Sequence, residues 1–183
     1  MLKKLTSLAA AGVVAVSLLG GANTTHAAAK DDLIIVNKHY NKLMYLKDGY
    51  VNQIEKVGTG KTSLLTPVGH FKVVNKVKNR KYYAKNIPGG APNNPLGARW
   101  MGLNVPGSSA SKSGNVYAIH GNANPSSIGG YVSAGCIRMY NDRIIKLYDK
   151  VQINTPVAVT NSEKSFTELA KIYGYKIKGY KTK

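Results

Sequence analysis

The stretch SAGCIRM at residues 133–139, with the pair HG at residues 120–121 upstream of it, is the most informative part of this sequence. Cys136 is the only cysteine of the 183-residue chain. A thiol attacks as its thiolate, so an enzyme that uses one needs a base or an imidazolium beside it. His120 closes a short apolar run, and the loop that follows can fold back to bring Cys136 near it. Spacing alone also leaves open a coincidental pair with a buried, inert cysteine.

The residues around this stretch predict a mostly β domain, a sandwich or mixed sheet with one or two short helices. Apolar, β-branched runs separated by turn residues predict strands at residues 33–36, 43–46, 50–57, 71–77, 116–119 and 151–159. The first three strands form a meander, and Pro156 in the last one indicates an edge strand. Residues 86–109 are rich in Pro, Gly and Asn, and their apolar side chains predict an ordered, partly packed loop.

Two helices are expected after Cys136. The first has apolar residues at the i, i+3, i+4 and i+7 spacing between Ile144 and Val151, with Asn141 or Asp142 as its cap. The second opens after residue 161, where the pattern Ser165-x-x-Glu168 predicts a capping box. Residues 161–183 are therefore predicted to form a C-terminal helix and a basic tail.

The motif and its surroundings resemble the L,D-transpeptidase catalytic domain, the YkuD-like family. The resemblance rests on residues 120–121 and 133–139, and on TPVGHF at residues 66–71 and NPLGAR at residues 94–99, all in the family's order. It extends over about residues 33–160, and the Ser-x-Gly-Cys-Ile-Arg string with its upstream His-Gly is highly specific. Many members have a histidine where this chain has Ala134. Because the family's base matches His120, this difference bears on a contact in the acyl pocket and not on activity.

The resemblance implies a catalytic domain over residues 30–160 that performs a two-step acyl transfer in peptidoglycan. In this reaction Cys136 attacks the diaminopimelyl carbonyl of a tetrapeptide stem and expels D-Ala, while His120 takes the thiol proton and returns it to the departing amine. An amine of a second stem then resolves the thioester and gives a 3-3 crosslink. The implied site includes the Gly121 carbonyl, which orients the imidazole, and an oxyanion hole made of the Gly135 and Cys136 amides.

The same acyl-enzyme would serve three outcomes that the sequence leaves open, namely crosslinking, L,D-carboxypeptidase trimming and sortase-like anchoring of a wall protein. The resemblance also implies that carbapenems acylate Cys136. A thiolate paired with a protonated His120 is expected to be the already ionised nucleophile for this reaction. No cofactor is expected, and no metal, because three or four ligands at a zinc spacing are not found.

Roles are also predicted for other polar and aromatic residues, and some of these residues have two alternative roles. Ser133 either bonds the motif turn or touches substrate, and Arg138 either binds a stem carboxylate as a bidentate fork or holds the loop. His39 is expected in an exposed turn, and His70 is expected to pack or to donate a hydrogen bond. Trp100 is expected to pack in the protein more readily than to stack on a sugar.

Residues 1–29 predict an export signal that is cleaved. Two lysines precede an apolar run at residues 5–20, and small residues at 25–29 offer a peptidase site. The run is short for a membrane span, so no stable span is expected after cleavage. We therefore expect a secreted protein that associates with the cell wall.

The formal net charge of the chain is +18, and cleavage of the signal removes two of these charges. In an exported protein such an excess does not point to nucleic acid. The expected partners are peptidoglycan stem peptides and anionic wall polymers, and plain solubilising charge is the alternative.

Three other classes fit the sequence less well. Sortases are also secreted, β-rich cysteine transpeptidases, but their histidine lies much further upstream and their motif is Thr-Leu-x-Thr-Cys. Papain-like and endopeptidase-type wall hydrolases have cysteine before histidine. A module that only binds the wall does not explain a single cysteine within this motif.

Overall fold

A computed structural model of the chain describes residues 31–181, so the predicted export signal lies outside the described residues. The secondary structure of this range consists of β1 (Leu33–Asn37), β2 (Lys42–Lys47), β3 (Tyr50–Lys56), β4 (Thr59–Gly60), β5 (Gly69–Lys78), β6 (Arg99–Leu103), β7 (Tyr117–His120), β8 (Tyr131–Ser133), β9 (Ile137–Arg138), α1 (Asn141–Lys150), β10 (Pro156–Thr160), α2 (Phe166–Ile172) and β11 (Gly179–Tyr180). Neither helix within residues 31–181 is long and apolar enough to cross a membrane.

Nine of these strands form one mixed sheet in the order β11-β3-β2-β1-β10-β5-β6-β7-β9, and β4 pairs with β8. The predicted mostly β class and the β1–β3 meander are confirmed. At one end of the sheet, β7 pairs with β9 in parallel. The loop between these strands contains the residues that precede Cys136, so the motif lies at the end of the sheet.

The centre of the sheet is buried on both faces. Side chains alternate along a strand, so successive residues of β1 point to opposite faces. Ile34 and Val36 of β1 pack into a core that includes α1. Leu33 and Ile35, which point to the opposite face, pack with α2. The continuous apolar run of β1 is therefore the pattern of a strand that is covered on both sides.

Two expectations about strands are wrong. Residues 99–103 form β6 instead of loop, since Trp100, Met101 and Leu103 are buried between β5 and β7. Pro156 does not mark an edge, because β10 lies between β1 and β5. Pro156 is the first residue of β10, a position where a proline is tolerated within a sheet.

The helices follow the prediction more closely. Ser165 and Glu168 form the predicted capping box of α2. The predicted cap of α1 at Asn141 or Asp142 is wrong, since the N-cap is Tyr140 and has no side-chain cap. The Asn141 side chain accepts a hydrogen bond from the Ala98 amide. Part of the basic tail forms β11, which pairs in parallel with β3.

Candidate active site

Three neighbouring strands bring the predicted site residues to one end of the sheet. Trp100 of β6 pairs with His120 of β7, and His120 pairs with Arg138 of β9. Paired residues share a face, and side chains alternate along a strand. Cys136 directly precedes β9, so it lies at the same end of the sheet as His120.

Cys136 is half-buried and lines a cleft of about 310 Å³. Arg80, Tyr83, Trp100 and Val116 are among the other residues that line it. The thiol donates a hydrogen bond to the Val116 carbonyl at 3.4 Å. Within the described range, no hydrogen bond joins the thiol to the His120 ring, so the thiol must rotate away from Val116 to transfer its proton there.

His120 is 3% exposed, and contacts on its ring fix its orientation. Its Nδ1 lies 2.5 Å from the Gly121 carbonyl oxygen. Because a carbonyl only accepts, Nδ1 carries the proton and Nε2 is the basic nitrogen. The ring stacks on Trp100, with 5.5 Å between centroids and 16° between planes, and the Arg80 guanidinium lies 4.5 Å from the centroid of the same Trp100 ring.

Desolvation dominates the protonation of both groups. Burial raises the pKa of the Cys136 thiol to about 11, although a hydrogen bond from the Ala118 backbone and the charges of Arg138 and Arg80 oppose the rise. Burial lowers the pKa of His120 to about 4, although the Gly121 carbonyl favours the protonated ring. At pH 7 the thiol and the imidazole are therefore both neutral. Burial therefore disfavours the expected pair of an ionised thiol and a protonated histidine, because the site removes water from both charges.

The turn before Cys136 is closed by Ser133. Its hydroxyl donates to the Cys136 carbonyl at 2.6 Å and accepts from the Gly135 amide at 3.0 Å. Ser133 is 1% exposed, so it bonds the motif turn and does not face the cleft. The same contact engages the Gly135 N–H, which leaves the Cys136 N–H as the main candidate for an oxyanion donor.

Gly135 is required at its position for two reasons. Its φ of +134° belongs to a region that side chains disfavour. A Cβ atom there would also come within 2.8 Å of a ring carbon of Tyr117.

Arg138 holds the end of the motif loop, which is one of its two predicted roles. Its backbone exchanges two hydrogen bonds with Gly58, at 2.8 and 2.9 Å, which anchors the end of the motif. Its side-chain Nε is buried without a hydrogen-bond partner. The Arg138 charge also acts on both Cys136 and His120, where it lowers the pKa of each group.

The remaining predicted residues lie outside this constellation. His39 is exposed in a turn, and His70 packs edge-on against Tyr173 with 5.0 Å between ring centroids. Among residues 31–181, no group of three or more His, Cys, Asp or Glu side chains has the arrangement of a metal site. Sequence reasoning missed Arg80, whose basic, tyrosine-rich surroundings carry no motif that would single it out.

Comparison with known proteins identifies the family of this chain. The model of the YkuD family, the L,D-transpeptidase catalytic domain, matches residues 31–159. Bacillus subtilis YqjB, grouped with the L,D-transpeptidases, is 44% identical over 140 residues, which cover 76% of this chain and 77% of YqjB. B. subtilis YkuD is 38% identical over 103 residues, which cover 56% of this chain and half of YkuD.

Solved structures agree with these relatives. The catalytic domain of the Enterococcus faecium L,D-transpeptidase, acylated by ertapenem, superposes with a TM-score of 0.52 at 25% identity. That match covers 72% of this chain and 98% of the other. L,D-transpeptidase 3 of Mycobacterium tuberculosis, with a faropenem-derived adduct, shares the fold with a TM-score of 0.55 at 17% identity over 72% of this chain and 60% of its own. The chain therefore belongs to the YkuD family of L,D-transpeptidase catalytic domains.

Proposed function

We propose that this protein is a secreted cysteine acyltransferase that forms 3-3 crosslinks in peptidoglycan. The observation that carries the proposal is the parallel pairing of β7 with β9, which sets His120 beside the strand that follows Cys136. The family membership supplies the reaction class. The alternatives with the same acyl-enzyme are removal of D-Ala by water and anchoring of a wall protein.

In the first step, the Cys136 sulfur attacks the diaminopimelyl carbonyl carbon of a tetrapeptide stem. Because the thiol is neutral at pH 7, its proton must move to His120 Nε2 as the S–C bond forms. The Cys136 N–H stabilises the oxyanion of the tetrahedral intermediate. The imidazolium then returns the proton to the departing amine, the C–N bond breaks, and D-Ala leaves.

In the second step, the side-chain amine of another stem attacks the thioester carbonyl. His120 takes the proton of that amine, the C–S bond breaks, and the thiol regains a proton. Gly121 keeps the basic nitrogen of His120 available through both steps, because its carbonyl holds the proton of Nδ1. No group beyond these residues and the two stems is required by this balance.

The cleft also fits the proposed binding of an anionic stem. Arg80 and Lys81 line it, and Arg138 has a buried N–H without a partner. The stem carries carboxylates, which arginine binds through charge-assisted hydrogen bonds. We propose that carbapenems acylate the same cysteine, since the E. faecium domain that shares this fold is acylated by ertapenem.

A second proposal concerns anionic wall polymers. Arg143, Lys146 and Lys150 of α1 line a groove of about 500 Å³ against β3. The groove also contains Glu55, whose carboxylate lies 3.8 Å from Arg143. Because three cations and one acid line the groove, its charge remains basic. This groove favours electrostatic attachment to a polyanion such as a wall phosphate polymer.

The decisive experiment incubates residues 30–183 with a disaccharide tetrapeptide and reads the products by mass spectrometry. A dimer that has lost one D-Ala indicates crosslinking, whereas a tripeptide monomer indicates trimming. Cys136→Ala should melt near the wild type and should give neither product. Turnover that survives in Cys136→Ala would exclude the proposed nucleophile and the whole acyl-enzyme route.

A further inference from the structure

Lys38 is a buried lysine whose ammonium donates all of its hydrogen bonds to groups within the protein. The residue is 3% exposed, and its Nζ donates to the carbonyls of Ser63, Leu65 and Thr66 at 3.0, 2.9 and 2.7 Å. An ammonium has three N–H groups, so these contacts use all of them. All three acceptors belong to the loop between β4 and β5. Lys38 therefore fixes the backbone of that loop from its inner side.

Thr66 connects this loop to the turn that presents the nucleophile. Its Oγ1 donates to the Gly135 carbonyl at 2.8 Å and accepts from the Gly60 amide at 2.8 Å. Thr66 has a φ of +59°, which is unfavourable for a β-branched residue. A backbone of this kind persists only where its surroundings hold it, and the Lys38 contact to the Thr66 carbonyl is one such restraint.

The Gly135 carbonyl and the Cys136 N–H belong to one planar peptide group. In a trans peptide the two bonds point in opposite directions, so fixing the carbonyl also fixes where the N–H points. We propose that Thr66, held in place by Lys38, orients the Cys136 N–H toward the oxyanion of the acyl-transfer intermediate. This inference rests on the function proposed above and assigns two positioning residues to it.

Neither residue lines the Cys136 cleft, so both must act through Gly135. This separates their effect from that of a residue that binds substrate. Loss of the Thr66 hydroxyl should slow reactions that form an oxyanion. It should not slow alkylation of Cys136 by iodoacetamide, which is a displacement at carbon and forms no oxyanion.

The test compares Thr66→Ala with Thr66→Ser, a pair that differs only by the hydroxyl. Each variant is acylated with p-nitrophenyl acetate and, in parallel, alkylated with iodoacetamide, and both rates on Cys136 are followed by mass. We expect Thr66→Ala to be acylated about 10- to 100-fold more slowly than Thr66→Ser, through the maximal rate and not through KM. Alkylation should be equal in the two.

Lys38→Met should resemble Thr66→Ala, and Lys42→Met, a change at an exposed lysine of β2, should resemble the wild type. If Lys38→Met does not fold, the Thr66 pair decides alone. Equal acylation of Thr66→Ala and Thr66→Ser would overturn the inference. So would a parallel loss of acylation and alkylation, since that would mean a collapsed turn. Wild-type protein that accepts the ester but not the tetrapeptide would refute the proposed function while leaving this inference intact.

Discussion

The two sides of Cys136 are built from different kinds of contact. Behind it, Ser133 and Thr66 are buried and hold the turn through hydrogen bonds to its backbone. In front of it, the cleft is lined by side chains that reach solvent, such as Tyr83 at 74% and Val116 at 42% exposure. Arg80 lies in the same wall, where it covers Trp100.

The difference separates rate from selectivity. Hydrogen bonds to the backbone of the turn fix the atoms that react, so they act on every acyl donor alike. An exposed wall of aromatic and cationic side chains adapts to what binds, so it acts through the identity of the donor. Variants behind Cys136 should therefore slow all acylations, and variants in front of it should discriminate between donors.

The largest effect within this comparison is expected from His120→Gln. Loss of the general base should lower acylation of Cys136 about 10²- to 10⁴-fold at pH 7, with a stem peptide and with a simple ester alike. Because burial raises the pKa of the thiol to about 11, rescue by hydroxide should appear only in strongly alkaline solution. The measurement is the acylation rate from pH 7 upward, by mass.

His70→Gln provides the control for His120→Gln, because His70 is exposed and packs on Tyr173 away from the cleft. It should be acylated at the wild-type rate. A His120→Gln variant that is acylated as fast as the wild type at pH 7 would remove His120 from its assigned role.

A second prediction concerns acid stability and follows from the buried imidazole. Burial lowers the pKa of His120 from 6.5 to about 4, so between these values the unfolded chain binds a proton that the folded chain excludes. The contribution of His120 is complete above pH 6.5 and is lost as the pH falls toward 4. The loss amounts to about 3 kcal/mol of unfolding free energy.

Urea unfolding of the wild type and of His120→Gln at several pH values measures this contribution. The difference between the two proteins should change by that amount between pH 7 and pH 4. Parallel curves would mean that the ring is protonated equally in both states, and that it is not desolvated.

The sequence predicts which residues form the site better than it predicts the contacts that hold and bury them. Cys136 and His120 stand out because a single cysteine and a His-Gly pair fall in a specific motif. The meander and the α2 capping box follow from local patterns that later packing does not overturn. The neutral state of the thiol could not be predicted in this way, because desolvation depends on burial, which only the fold creates.

The missed features depend on contacts between distant segments. Lys38 looks like a turn lysine in the sequence, yet it reaches the carbonyls of residues 63–66 from the end of β1. Pro156 looks like an edge residue, yet it opens a central strand. In both cases the local pattern is ordinary, and the partner that gives the residue its role lies far away in the sequence.

A third prediction tests the front of the cleft with Arg80→Ala. Loss of this cation should raise KM for the anionic stem peptide about tenfold, the scale of one charge-assisted hydrogen bond. Acylation by a small uncharged ester should change much less. Lys85→Ala is the matched control, since Lys85 ends the 3-10 turn Tyr83–Lys85 in the same segment and does not line the cleft. Equal losses with both donors would assign Arg80 to the reacting atoms instead of to selectivity.

The smallest effect is expected at the basic groove between α1 and β3, which shares no residue with the Cys136 cleft. Binding of residues 30–183 to isolated cell wall should weaken as salt is added, because exposed charges are screened over about 10 Å at 0.1 M ionic strength. Lys146→Glu should weaken it by about twofold to fivefold at low salt, the scale of an exposed charge pair. Lys171→Glu, on α2 and outside the groove, makes the same change of net charge. Equal losses of wall binding in both variants would mean that total charge, and not this groove, governs attachment. Unchanged turnover of a soluble tetrapeptide by Lys146→Glu would separate attachment from catalysis.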